Sequence, residues 1–410
     1  MPSMESTTVT VWAGVGSRHE TPEINGISHF LEHMVFKGST RYPSAAIISQ
    51  TIDGLGAEFN AGTSKEYTNF YIKSRNGVVD TAFDVLSSIV LEPLLRLDDI
   101  NRERGVIIEE IGMYEDTPSR HVFDLFERLI FSGNNLGRDI IGTRQNIKSI
   151  SKKDFVNYRS KFYKPTNLLV TVAGGLTAKD AFSLAQKYFG GGAKAKSSTN
   201  YLESIKPFKS IQTKPGVLLS SQKREQANLI IGFLAGKRAD KQRYTQAILA
   251  TILGGGMSSR LFSEIREKRG LAYSVRTSNE YLPDTGYIQT YAGVDPNKAE
   301  EVIKIILDQK YGLASGKYPI TDAELVKAKE FLKGHIALSL EETESINHFF
   351  GEEELIMGKV KTPEEVFENI DKVTSQQVVA LAKKYFVKSS LNLAIIGPFK
   401  SKLAFEKLLG

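Results

Sequence analysis

The sequence has no cysteine among its 410 residues. That excludes disulfides and thiolate metal sites, so any metal must be held by nitrogen and oxygen ligands. The same lack fits a cytoplasmic location. No apolar run approaches the ~18 residues needed to span a bilayer, and no basic-then-apolar leader reads as a secretory signal. Neither a membrane partner nor export is expected. Positive charge is present but thin, a net +6 scattered over segments such as "KSISKKDF" and "GGAKAKSS", without basic stripes interleaved with aromatics. No nucleic-acid partner is expected either. Histidine is scarce, six in all, yet two of the six stand four apart.

What remains is the composition of an ordinary globular protein, 41% hydrophobic and 24% charged. The length is too great for one small core and suits two or three domains. A β-branched run from Thr7 to Ser17 reads as a strand. "GISHFLEHMVFKG" reads as a helix closed by Lys37 and Gly38, and a second helix runs from Pro43 and Ser44 to a stop at Gly54. Two strand-like runs follow, "AEFNAGTSK" and "YTNFYIKS". Long helices are expected from about Val78 to Leu91 and from about Leu97 to Tyr114.

Two distant stretches match at an offset of 223 positions, that between Ser151 and Thr374. Each begins with a helix N-cap, Ser151 or Thr374. Phe155 then matches Val378, and Phe162 matches Tyr385. The strand residues Leu168, Val170 and Val172 match Leu391, Leu393 and Ile395, and glycine ends both strands at Gly174 and Gly397. The same offset aligns "LDDINRERG" with "ITDAELVKAK". The chain therefore reads as an internal duplication of two α+β halves. The expected domains are 1–195 and 215–410, joined by a linker over 196–214 in a Gly-, Ser- and Lys-rich region.

On a helix, residues i and i+4 share a face, so His29 and His33 can present both imidazoles to one point. Glu32 leans over that point, while Ile27, Phe30, Leu31 and Met34 face a core. A catalytic zinc takes three protein ligands and a water, so one more is needed, a carboxylate or a third histidine. The helix "DINRERGVIIEEIGMYED" offers Glu103, Glu109, Glu110 and Glu115. Glu110 shares a mostly apolar stripe with Glu103, Val106 and Ile107, whereas Glu109 falls among Arg102, Gly105 and Asp116. A carboxylate on a buried stripe needs a partner, which selects Glu110. Glu103, on the same face, can accept a hydrogen bond from a ligand histidine or pair with a lysine or arginine.

H-x-x-E-H, with 76 residues between His33 and Glu110, resembles the signature of the M16 metallopeptidases, the pitrilysin-type or inverzincin peptidases. Glu103 matches that family's second glutamate. The resemblance covers essentially the whole chain and is nearest to the bacterial processing-protease branch, related to the β subunit of the mitochondrial processing peptidase. It implies two homologous α/β-sandwich domains of the LuxS/metallohydrolase type, each a mixed, mostly antiparallel sheet packed by helices. It implies a zinc endopeptidase acting on peptides or unfolded segments, with His29, His33 and Glu110 on Zn2+ and Glu32 as general base. The alternative within the family is a non-catalytic or heterodimer-dependent subunit of a processing complex.

By the same resemblance, "AEFNAGTSKEYTNFY" is either a plain hairpin or the edge on which substrate adds as a strand, with Asn60 and Ala61 as backbone contacts. "GGGMSSRLFSEIREKRGLAYSV" carries the family's Arg–Tyr pair, Arg266 and Tyr273, as donors to the substrate carbonyl and oxyanion. The second half lacks the metal motif: the offset sets Lys333 opposite Glu110, and His335 and His348 form no H-x-x-E-H. Since one chain holds both motifs, a homodimer sharing its sites across the interface is expected. Relatives usually have a further strand with an Asn-Gly-Leu turn ahead of "VTVWAGVGS". Either the start is truncated or the first sheet has one strand fewer.

Overall fold

The structure, a computed structural model, describes residues 1, 3–190, 205 and 207–410. The expected linker falls largely outside the described residues. Strands β1 (Ser6–Ala13), β2 (Glu58–Thr63), β3 (Thr68–Arg75) and β4 (Leu168–Gly174) form one sheet in the order β2-β3-β1-β4, antiparallel throughout. Strands β5 (Gly216–Ser221), β6 (Ala227–Ala235), β7 (Ala272–Tyr281), β8 (Gly286–Val294) and β9 (Leu391–Gly397) form a second, in the order β5-β9-β6-β8-β7, with β5 and β9 parallel.

The helices are α1 (Ile27–Val35), α2 (Ala45–Gly54), α3 (Val79–Leu91), α4 (Leu97–Glu115), α5 (Pro118–Ile130), α6 (Arg144–Ser149), α7 (Lys152–Phe162) and α8 (Ala178–Phe189). After them come α9 (Arg243–Gly254), α10 (Ala299–Ser315), α11 (Asp322–Ser339), α12 (Thr343–Met357), α13 (Pro363–Asp371), α14 (Ser375–Tyr385) and α15 (Leu403–Leu409). The fold is thus the mixed α/β, mostly antiparallel architecture that the sequence implies.

The duplication is written in the pairing. Val9 lies between Ile72 and Val172 in the first sheet, as Leu229 lies between Ala292 and Ile395 in the second. Ser151 and Thr374 cap α7 and α14 with the same reciprocal box, closed by Asp154 and Gln377. Only β5 lacks a counterpart among the described residues of the first sheet. Strand β4 is therefore an edge and half-exposed, whereas β9, covered by β5, is buried throughout. The first strand is shorter than its apolar run, ending at Ala13 because Gly14 turns to donate to the Asn167 carbonyl.

Two compact units result, but they are not contiguous halves. Tyr114–Gly137, with α5, belongs to the second unit, and Ser339–Val360, with α12, belongs to the first. The packing explains why. In the first sheet Val9, Val11 and Ala13 face the main core with α1 and α3, while Thr8 and Trp12 face α12. Thr8 bonds Thr343, and Asn347 donates to the carbonyls of Thr8 and Thr171. Gly351 lets the helix close onto Trp12, whose indole lies 2.6 Å from where a Cβ would stand. In the second unit Val122, Phe126 and Ile130 of α5 bury against Ile230, Ala394 and Ile396, with Phe126 over Gly232. Each sheet is thus sealed on its second face by a helix whose sequence neighbours lie in the other unit, a pattern that periodicity within one segment does not reveal.

Candidate metal centre

Helix α1 buries Ile27, Phe30, Leu31 and Met34 completely and leaves His29, Glu32 and His33 on its other side, half-exposed. Its N-cap, Gly26, sits at φ 99 and offers no side-chain oxygen. The missing acceptor comes from Glu20, which is fully buried and receives the N–H groups of Gly26 and Ser28 and the amide of Asn25, all at 2.8 Å. Burial pushes this carboxyl up to about 7, against the N–H donors that favour its charge. Glu20 thus fixes the turn that precedes His29.

Helix α4 runs beside α1. Its inward stripe is Ile100, Glu103, Ile107 and Ile111, with Glu110 at the margin. Glu109 faces solvent as expected, but Val106 does too, 51% exposed. The buried stripe is thus one position narrower than the sequence implies, because Val106 lies a further 100° round the helix from Ile107.

His29, His33 and Glu110 each turn one ligand atom to a common point, these atoms lying within 4.8 Å of one another. His29 Nε2 stands 3.7 Å from Glu110 Oε1, and His33 Nε2 stands 3.5 Å from Glu110 Oε2. Two ligands held ~2.0–2.1 Å from one ion at a tetrahedral angle stand about 3.4 Å apart, so the spacing suits an ion between them. His29 Nδ1 and Glu110 Oε2 are also buried without a hydrogen-bond partner among the described residues.

The charges tell the same story. Burial, and then His33, hold the His29 imidazole down to about 3, leaving a neutral ring with a lone pair to give. Burial alone would lower His33 as well, but Glu103, Glu110 and Glu32 outweigh it and raise its pKa above the ordinary histidine value. Burial raises both Glu32 and Glu110. Two imidazoles and the Glu110 carboxylate turned to one point make a donor set that suits a cation. His33 Nδ1 meets Glu103 Oε1 at 2.9 Å, which fixes the ring and turns Nε2 to the centre. Lys37 reaches the other oxygen of Glu103 at 2.6 Å, so Glu103 fills both roles open to it, bonding a histidine and pairing with a lysine.

Glu32 accepts a 2.5 Å hydrogen bond at Oε2 from Thr63, the last residue of β2. Strand β2 is a sheet edge. Ser64 N–H donates to the Tyr67 carbonyl, so Thr63 and Thr68 form the alternate, non-bonded pair of this ladder. Phe59, Ala61 and Thr63 therefore direct their backbone N–H and C=O groups to the free edge. There the Ala61 N–H is taken by the Asn60 side chain.

In the second unit the helix matching α1 is α9, whose "TQAILATIL" stretch is buried and holds no histidine. Lys333, set opposite Glu110 by the duplication, pairs with Glu330 and Asp371. His335 packs at a tilt on Phe331, and His348 packs on Trp12 in the first unit. Among the described residues, His29, His33 and Glu110 form the one such cluster. Arg266 lies in a π-helical turn, Phe262–Glu267, and donates to the Tyr273 carbonyl at 3.0 Å, its guanidinium 4.9 Å from the Tyr273 ring. Tyr273 sits at an irregularity of the edge strand β7 and is 78% exposed.

Sequence reasoning passed over Glu20, Lys37 and Thr63. A signal existed for the first two: Gly26 as an uncapped helix start, and Lys37 four residues after His33. Thr63 carried none, since only the fold brings it to Glu32.

A two-histidine, one-carboxylate centre on paired helices of a duplicated α+β chain defines a class, the inverzincin metallopeptidases. Residues 1–144 match the model of the insulinase family, peptidase family M16, and residues 149–332 match that of the peptidase M16 inactive domain. The chain belongs to peptidase family M16. It is 37% identical to an uncharacterized zinc protease of Streptomyces coelicolor, over 98% of this chain and 87% of that one. It is also 37% identical to the uncharacterized zinc protease YmxG of Bacillus subtilis, over 97% and 94%. The fold matches the crystal structure of a protease from Helicobacter pylori, with TM-score 0.88 and 24% identity over 96% of this chain and 95% of that one. No helix among the described residues is long and apolar enough to cross a membrane.

Proposed function

We propose that the chain is a zinc-dependent endopeptidase that cuts peptides or unfolded polypeptide segments. The observation that carries this reading is the convergence of His29, His33 and Glu110 on one point beside Glu32. The names of the zinc-protease relatives supply the metal. Bound there, zinc would lower the pKa of its water towards ~7 and polarise the scissile carbonyl.

The chain's own residues do the rest. His29, His33 and Glu110 hold the ion, and Glu103 keeps the Nδ1 proton of His33 in place. Glu32 takes the proton of the attacking water and hands it to the leaving amine. Its burial raises its pKa, which makes it a stronger base for the first half of that transfer. A substrate strand added along β2 would take the Ala61 N–H from Asn60 and lie with its carbonyl beside the centre. Arg266 and Tyr273 donate to the substrate carbonyl and its oxyanion.

One chain carries a single metal cluster among its described residues and the Arg266–Tyr273 pair. We infer a homodimer in which the pair from one subunit completes the centre of the other. Glu32→Gln and Arg266→Ala chains should each be inactive, and a mixture of the two should recover part of the cleavage of an unstructured peptide. No recovery under conditions where subunits exchange would contradict the shared arrangement.

A further inference from the structure

Glu32 stands on α1, and the group that holds it, Thr63, stands on the neighbouring edge strand. Resting on the peptidase reading above, we propose that Thr63 is the positioning residue of the general base, tying the alignment of Glu32 to the strand that receives the substrate.

A carboxylate offers two oxygens, and a base working through one of them is best held by the other. The Thr63 hydroxyl donates to Oε2 at 2.5 Å, which leaves Oε1 to accept the proton of the attacking water. A hydroxyl keeps donating whether the carboxyl is charged or neutral. The bond therefore survives both the uptake of the proton and its delivery to the leaving nitrogen.

The placement of Thr63 gives the bond a second consequence. Its side chain points to α1, while its backbone N–H and C=O belong to the free edge of β2, in phase with Ala61 and Phe59. Further along the same face of the strand, Phe59 packs on Phe36, four residues after Glu32, with ring centroids 5.4 Å apart. Strand and helix are thus pinned at two points, one apolar and one on the base itself. A peptide pairing with this edge orders the residue that orders Glu32, so strand docking and base alignment are one event. Binding without alignment loses rate, since misplacing a reacting group by a fraction of an ångström is costly.

Thr63→Val keeps the shape and the β-branched preference for a strand but removes the donor, and Thr63→Ser keeps the donor. With zinc-loaded protein and an unstructured peptide, Thr63→Val should lower kcat roughly tenfold to a hundredfold at nearly unchanged KM. Thr63→Ser should restore most of the loss. Zinc content should stay at the wild-type level. In the Glu32→Gln background, the Kd of the same peptide by calorimetry should not move on Thr63→Val. Wild-type kcat in Thr63→Val overturns the role of Thr63, as does a Thr63→Ser variant no better than Thr63→Val. A loss carried by KM and by peptide affinity marks Thr63 as part of the strand only and also overturns the proposal. A zinc-loaded wild type that cuts nothing overturns the peptidase reading itself, a result distinct from the others.

Discussion

The residues that turn to the centre are half-buried and face one another, which contrasts with Lys310 in the second unit. Lys310 lies on the apolar stripe of α10 with Ile303, Ile306 and Leu313 and is fully buried. Its Nζ has no hydrogen-bond partner among the described residues and sits between the rings of Phe233 and Phe386, 5.8 and 4.9 Å from their centroids. Burial pulls its pKa down from 10.5 to about 7. The unfolded chain therefore binds the extra proton between about 7 and 10.5, so stability rises with pH across that window and its cost is greatest at and below its lower end. Lys310→Met should stabilise the protein at pH 7 by on the order of 3 kcal/mol, and the gain should shrink towards pH 10. Thermal unfolding from pH 6 to 10 measures it; a gain that is constant with pH would mean that the amine is not held neutral.

At the scale of elements, α1, α4 and β2 make the centre, and they were legible to different degrees. The ends of α1 to α4 followed from Ser44, Gly54 and the apolar periodicity, because those signals act within one turn of helix. His29, Glu32, His33 and Glu110 were legible because chemistry at fixed helical spacing is local too. Glu20 left a signal only in the uncapped Gly26 that it serves, and Thr63 left none, because it reaches its partner across the fold. The exchange of α5 and α12 was hidden for the same reason: an amphipathic helix records that it buries a face, not which sheet covers it. Strand β2 carries its own test. Its Ala61 N–H faces the free edge rather than β3, so proline there removes no ladder bond within the sheet. Ala61→Pro should therefore fold and bind zinc as wild type does, yet raise KM roughly tenfold or more by removing a donor to the added strand. An unchanged KM with intact fold would show that substrate does not pair at this edge.

Across the whole molecule, a duplication has divided its labour. Both units keep the sheet order and the capped helices, but only α1 of the first carries the metal face, while α9 of the second has turned that face into core. The second unit instead presents Arg266 and Tyr273 beside an edge strand that corresponds to β2. The proposed function rests on Glu32 acting on a water at the centre held by His29, His33 and Glu110. It is tested most directly by measuring zinc stoichiometry and peptide turnover on the same preparation of Glu32→Gln. Zinc should be bound as in the wild type and turnover reduced at least ~100-fold, the contribution of a positioned general base. Full zinc content with wild-type turnover would contradict it.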